Sequence, residues 1–480
     1  MSLLNILIMI GFSLGVAGLC LFPGGRKLRN PILLVASVFA IFWLQPVLPI
    51  RGIDFWLPTA TLFIAAGGWL LTAQSQEQNY RQTLKTGSLI LLTVLVIALT
   101  RLLSSSGIVT PSRPPQTIEV VIVLAILGVL LFFARWVKRV SPAWLTIGIV
   151  FVLALFVVLK LPMLTQLVSE GLRGLTGQSV NLASALDLRW LGFSYVAFRL
   201  IHTLRERQNG RLPSMRLEAF FIYTLFFPAF TAGPIDRSER FLRDLQQPYL
   251  PGAEQMGQGA KRLLTGLFKK FALADSLALI ALSAVNAGQV QSAGWTWLLV
   301  YAYTFQIFFD FSGYTDIALG MAQWMGFRLP ENFNAPYLKP NLTQFWNSWH
   351  MSLTQWFRTY FFNPLTRSIR SNAKQIPVWT VILITQLSTM VLIGLWHGIT
   401  LNFVLWGCWH GLGLFIHNRW SEWMKPLAPR LQAKPGLQRV LKVFSTVLTF
   451  QFVALGWVWF ALPTVSDSWR VFLQLFGAAG

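Results

Sequence analysis

Charge is scarce in this chain, and acidic charge is scarcest of all. Only 17 of the 480 residues are Asp or Glu, against 39 Lys or Arg, so charged residues make up 12%. Soluble domains usually carry about 25%, which argues strongly against a water-soluble globular fold. Cysteine is nearly absent. Cys20 and Cys408 lie far apart in apolar segments, excluding a disulfide framework or a Cys-based metal site. No HExxH or comparable ligand cluster occurs, so neither a metal nor a bound cofactor is expected. Internal repeats, low-complexity tails and a recognisable soluble domain are also missing.

Apolar sequence is what the chain has in abundance, at 54% hydrophobic residues. Runs near the roughly 20 residues needed to cross a bilayer recur throughout. They fall at about 3–23, 31–50, 55–74, 88–104, 118–136 and 143–163, then 188–204, 271–290 and 294–321, and finally 377–396, 402–417 and 443–463. The expected fold is an all-α polytopic membrane protein of about 11–13 transmembrane helices, a multi-pass resident of the cell membrane. The opening "LLNILIMIGFSLGVAGLCLF" lacks a basic start and is longer than a signal-peptide core, so a retained helix is expected.

The net charge of +22 would suggest nucleic acid in a soluble protein. Here the basic residues concentrate in short links: 24–30, Arg81 with Lys85, Arg135 with Lys138 and Arg139, and 205–216. Alternate links are sparser, which orients those loops to the cytoplasm and the N-terminus outside. Nucleic acid is not expected as a partner. Segment 217–233, "LEAFFIYTLFFPAFTAG", has basic stretches on both sides, so a full crossing would place one cluster outside. A re-entrant element broken at Pro228 or Gly233 avoids this, provided its irregular backbone is buried or lines a cavity. By the same logic 342–366, between Lys339 and Arg367, Arg370 and Lys374, reads as a cytoplasm-side amphipathic helix.

Only five histidines are present: His202, His350, His397, His410 and His417. Intramembrane polar groups are costly and face a bundle interior or a watery cavity. The plain reading of His397 is a hydrogen bond to a neighbouring helix. Against it stand the flanking Gly394 and Gly398, which leave room for a substrate, and the polar turn at 400–402, which places the ring at the foot of a hairpin. An imidazole suits proton transfer near neutral pH. Asp310 and Asp316, within an apolar run, are expected to be paired inside the bundle, and Asp236 to anchor a loop. Arg358 reads either as a snorkelling interface charge or as a binder of a phosphate or carboxylate. His410 reads first as packing, and His202 and His417 as residues beside basic loops without a chemical role.

The wording around two of these histidines is distinctive. "FWNSWHMSLTQWFRTYFFNPL" and "GLWHGITLNFVLWGCWHG" resemble the signature blocks of the membrane-bound O-acyltransferase family, in its bacterial branch of alginate O-acetyltransferases and teichoic-acid D-alanyl transfer proteins. "FPAFTAGPIDRSERF", "GLFKKFALADSLA", "FFDFSGYTDIALG", "ENFNAPYLKP" and "WVWFALPTVSDSW" follow the order seen there. The resemblance covers about residues 190–470, dividing the chain into N-terminal membrane helices (1–185) and a catalytic core (186–470).

That resemblance implies re-entrant and amphipathic helices around a central tunnel joining the two membrane faces. It implies His397 as catalytic general base, with His350 in a catalytic or supporting role. Trp346, Trp349, Arg358, Trp396, Asn402 and His410 become candidates for lining the tunnel. The reaction implied is transfer of an acetyl or D-alanyl group from a cytoplasmic thioester, acetyl-CoA or an acyl carrier protein, to a hydroxyl of an extracytoplasmic polysaccharide or teichoic-acid-like polymer. Helper proteins from the same operon are implied as partners besides the lipid bilayer. The competing reading is a transporter or lipid flippase that makes no bond; such proteins often show paired repeats with matching broken helices, and no second copy of the 217–233 pattern occurs.

Overall fold

The structure, a computed structural model, describes residues 2–73, 80–103, 107, 109–133, 141–372, 375–427, 429 and 434–478. Among these every extended element is helical; the β-bridge between Phe333 and Trp349 is isolated. Among the described residues six helices are long and apolar enough to cross a membrane: Leu3–Cys20, Ile53–Thr72, Tyr80–Leu102, Pro142–Lys160, Val378–His397 and Pro435–Ala461. Pro23–Trp43, Ala293–Trp324 and Leu401–Met424, with 21, 32 and 24 residues, have the length but a more polar composition. The chain is a multi-pass membrane protein. The basic residues Arg135, Lys138, Arg139 and Lys374 lie outside the described residues.

Two compact units form, one from Met1–Leu263 with Ile317–Leu329 and the other from Leu264–Asp316 with Pro330–Gly480. The 185/186 boundary read from sequence falls inside the first unit. There the 24–30 link is no loop, because the Pro23–Trp43 helix begins at Pro23 and carries Arg29 inward. Arg29 is 4% exposed. Its Nε and Nη2 donate to Met325 O (3.1 and 2.8 Å), and Nη1 donates to Asp244 O and Gln247 O, both at 3.3 Å. Its guanidinium also lies 4.7 Å from the Phe327 ring centroid.

These acceptors are carbonyls at or just past the ends of the Ser238–Gln246 and Ala293–Trp324 helices. Helix ends leave such carbonyls without intrahelical donors, and a cation there also opposes the helix dipole. Arg29→Met is expected to destabilise the protein by about 3–5 kcal/mol, since each buried acceptor left bare costs roughly 1–3 kcal/mol. Denaturation of the detergent-solubilised protein measures this, and a variant as stable as the parent would contradict the capping role.

Segment 217–233 forms a helix, Leu217–Leu225, of only nine residues. At about 1.5 Å rise per residue it is far too short to cross a bilayer. A 3-10 turn at Phe227–Ala229 follows. Arg199 satisfies the carbonyls freed by this break, donating to Thr224 O at 2.9 Å and Ala229 O at 2.8 Å. Asp236 anchors the exit by accepting from Arg237 N at 2.6 Å and Arg240 Nε at 2.8 Å.

In the second unit the apolar run 271–290 does not form one helix. A π-helical stretch, Phe268–Ala274, leads to a short helix, and the chain breaks before Ala284–Gln289. The stretch packs against Ala293–Trp324 at Gly313, where an added Cβ would stand 2.9 Å from both Gly266 O and Lys270 N. That approach pairs Lys269 with Asp316 at 2.7 Å, and Lys270 with Asp310. Both intramembrane carboxylates therefore have cationic partners, as their cost in an apolar run requires.

Candidate active site

His350 lies on no regular helix. The continuous 342–366 helix expected from sequence is instead interrupted at 347–350: Leu342–Trp346 ends there, and Met351–Phe357 then runs through a π-helical Arg358–Phe362 into Asn363–Asn372. His350 occupies the break, with φ at 43° in the left-handed region. For a residue with a β-carbon this conformation is uncommon and needs surrounding support. Asn332 supplies it: its carbonyl accepts from Met351 N at 3.0 Å, and its Oδ1 accepts from Ser352 N at 3.1 Å and Ser352 Oγ at 2.6 Å. Asn334 N donates to Ser348 O at 3.0 Å, so 332–334 runs beside the break as a brace.

His350 is 3% exposed, and its ring stands edge-to-face with Phe311, centroids 4.5 Å apart. Its Nε2 is buried with no hydrogen-bond partner among the described residues. Burial, and secondarily the proximity of His397, hold its pKa well below the usual histidine range, so the ring is neutral.

His397 ends the Val378–His397 helix and is half-buried. Residues 398–400 turn the chain into Leu401–Met424, and the two helices pack as a close hairpin. Small residues permit this. A Cβ on Gly394 would stand 2.2 Å from Phe403 O, and one on Gly407 would stand 2.5 Å from Val391 Cα. Gly407 and Gly411 form the small-xxx-small spacing that lets membrane helices touch backbone to backbone.

Aromatic rings enclose His397. Centroid distances are 4.5 Å to Trp396, 4.8 Å to Phe460, 5.7 Å to Trp406 and 6.0 Å to Phe403. Trp396 is shared, since its centroid also lies 6.1 Å from His350. One indole thus links the two signature histidines, which are 47 residues apart in the chain.

The other expected residues divide. Trp346 contacts His410 (5.1 Å) and Trp406 (5.7 Å), bringing it into the same cluster. Trp349 packs on Phe333, Phe345 and Trp457, and Trp457 in turn meets Trp406 and Phe460. The Asn402 amide is committed to Leu462 O at 2.8 Å and Ser468 Oγ at 3.1 Å, tying helix ends together. His410 is fully buried. Arg358 donates to Asn347 Oδ1 at 2.7 Å, and with Trp346, Phe362, Gln386 and Ile393 it lines a cavity of about 130 Å³. His202 is a structural cap: its Nε2 accepts from Ser238 N at 3.1 Å, at the start of the Ser238–Gln246 helix.

Reading the sequence did not single out Trp406, Phe403, Phe460 or Asn332. A signal for Trp406 existed, because Asn402, Trp406 and His410 recur every four residues and share one helix face. Asn332 carries no such signal.

The family model described as MBOAT, membrane-bound O-acyltransferase family, matches residues 112–453. The chain is 32% identical over 295 residues to a teichoic acid D-alanyltransferase of Streptococcus thermophilus, covering 59% of this chain and 70% of the relative. It is also 32% identical over 290 residues to the probable alginate O-acetylase AlgI of Pseudomonas aeruginosa, covering 60% and 51%. A peptidoglycan O-acetyltransferase of Helicobacter pylori is 28% identical over 291 residues, covering 58% and 52%. The chain thus spans about half the length of these two acetylating relatives.

Proposed function

Because the chain belongs to the membrane-bound O-acyltransferase family, and is by that membership an O-acyltransferase, we propose that it moves an acyl group from a cytoplasmic thioester to a hydroxyl of an extracytoplasmic polymer, with His397 as the general base. The observation that carries this reading is the enclosure of half-buried His397 by Trp396, Trp406, Phe403 and Phe460, with His350 also in contact with Trp396. In the proposed step the acceptor hydroxyl attacks the thioester carbonyl while His397 takes its proton. The tetrahedral intermediate collapses, the C–S bond breaks, and the leaving thiolate recovers a proton from the imidazolium. Aromatic walls limit water at the base, which disfavours hydrolysis of the donor.

His350, neutral and held in its left-handed turn, serves as a hydrogen-bonding group beside the base rather than as a charge. Arg358, at the cavity rim, suits a phosphate of a CoA or carrier-protein donor, since guanidinium matches phosphate geometry. The acyl group is acetyl or D-alanyl, both of which occur in the names of the relatives. The protein would act in the cytoplasmic membrane with its basic links inside, assisted by helper proteins that deliver the polymer.

Reconstituted vesicles test the proposal. Acyl-labelled thioester is enclosed with the protein's cytoplasmic side facing the lumen, and a hydroxyl polymer is supplied outside. Label bound to the polymer through an alkali-labile ester is the expected result. Free label outside with an unmodified polymer would favour the transporter reading and overturn this one.

A further inference from the structure

His410 poses a problem that the proposed chemistry leaves open. Its ring is 0% exposed, and neither ring nitrogen has a hydrogen-bond partner among the described residues. An unpaired buried polar group is costly and calls for an explanation. Rings supply the surroundings. Trp406 lies 5.0 Å away at 63°, Trp346 at 5.1 Å and 89°, and Phe452 at 5.8 Å and 79°. Such edge-to-face geometry lets polarised edges, N–H groups included, point at π faces. Trp457 adds a fourth ring at 6.2 Å and 55°, and the imidazole also meets backbone, where a Cβ added to Gly456 would stand 2.7 Å from Nε2. Trp406, in contact with His410 in this way, also meets His397 at 5.7 Å and 81°.

We infer that His410 is a positioning residue, which acts through Trp406 to hold the imidazole of His397 in its working orientation, and that Gly456 leaves the space this requires. The inference rests on His397 being the base. His410 itself touches neither reactant, and its role is to lock the rotamer of the indole next to the base. A displacement of about 1 Å at a reacting group can cost on the order of 10²-fold in rate, so a buttress one residue removed has kinetic consequences.

Three variants test the inference in purified full-length protein, scored per folded molecule: His410→Ala, Gly456→Ala and the pair combined. Each single change is expected to lower kcat by about 10–100-fold with the donor KM within about twofold, and to move the acidic limb of the kcat pH profile. In the double variant Gly456→Ala should add nothing to His410→Ala, because no ring remains to be pushed; contacting residues show this kind of non-additivity.

Wild-type kcat and pH limb in folded His410→Ala would overturn the inference, as would losses that only follow the folded fraction, or full additivity in the pair. If His410→Ala does not fold, Gly456→Ala decides alone, and an unchanged kcat and pH limb there refutes the positioning role. His397→Ala, run alongside, separates the two ideas. Activity in that variant refutes the base assignment, whereas an inactive His397→Ala beside an unaffected His410→Ala refutes the buttress only.

Discussion

His397→Ala is expected to abolish acyl transfer while leaving a folded protein. General-base assistance is worth about 10²–10⁴-fold in rate, and the rings around His397 are hydrocarbon or indole, with no carboxylate among the four that enclose it. His350→Ala should cost less: it removes a neutral hydrogen-bonding group rather than the proton acceptor, although the strained turn at 350 would relax with it. The measurement is acyl ester content of the polymer with each variant, normalised to folded protein in the membrane. Acyl transfer at the wild-type level by His397→Ala would remove the assignment.

Substitution in the hairpin that carries His397 should have the second-largest effect. Gly407→Val places branched carbon where even a Cβ would stand 2.5 Å from Val391 Cα and 2.7 Å from Met390 O. These are backbone atoms, so neither neighbour can rotate away. Overpacking of this kind usually costs about 1–3 kcal/mol, occasionally more. Gly394→Val meets Phe403 O in the same way.

The functional loss should exceed the stability loss. Separating the helices moves Trp406, one residue before Gly407, away from His397, and misplacement on this scale costs on the order of 10²-fold. A control comes from Gly436, where nothing among the described residues lies within 4 Å of an added Cβ, so Gly436→Ala should be neutral or slightly stabilising. Thermal unfolding in detergent together with acyl transfer per folded molecule reads both effects. Equal behaviour of Gly407→Val and Gly436→Ala would show that the hairpin does not depend on close approach.

Several features of the fold and site were legible in the amino-acid order. Six of the twelve apolar runs match helices to within about three residues, because burial of backbone polar groups in lipid leaves few alternatives to a helix. The short 217–225 helix was foreshadowed by basic residues on both of its flanks, and the pairing of Asp310 and Asp316 by the cost of a bare carboxylate in an apolar run. Other features were not legible. Arg29 read as an ordinary loop cation, yet it caps helix ends more than 200 residues further along the chain. The break at His350 depends on Asn332, an asparagine with no local pattern to mark it. The partners of Asn402 and Trp349, Leu462 O and the Trp457 ring, lie 60 and more than 100 residues further along the chain and had no mark in the sequence either.

The sequence by itself determined the solvent this protein folds in, the helical character of its spans and the small set of side chains able to move a proton. Those follow from composition and from the cost of bare polar groups in hydrocarbon, and neither depends on long-range contacts. Only the tertiary structure decided which rings surround His397, what supports His350 and where the helices touch. Membrane helices are apolar on nearly every side, so hydrophobic period does not reveal which face meets which neighbour; that choice belongs to close packing between residues distant in the chain.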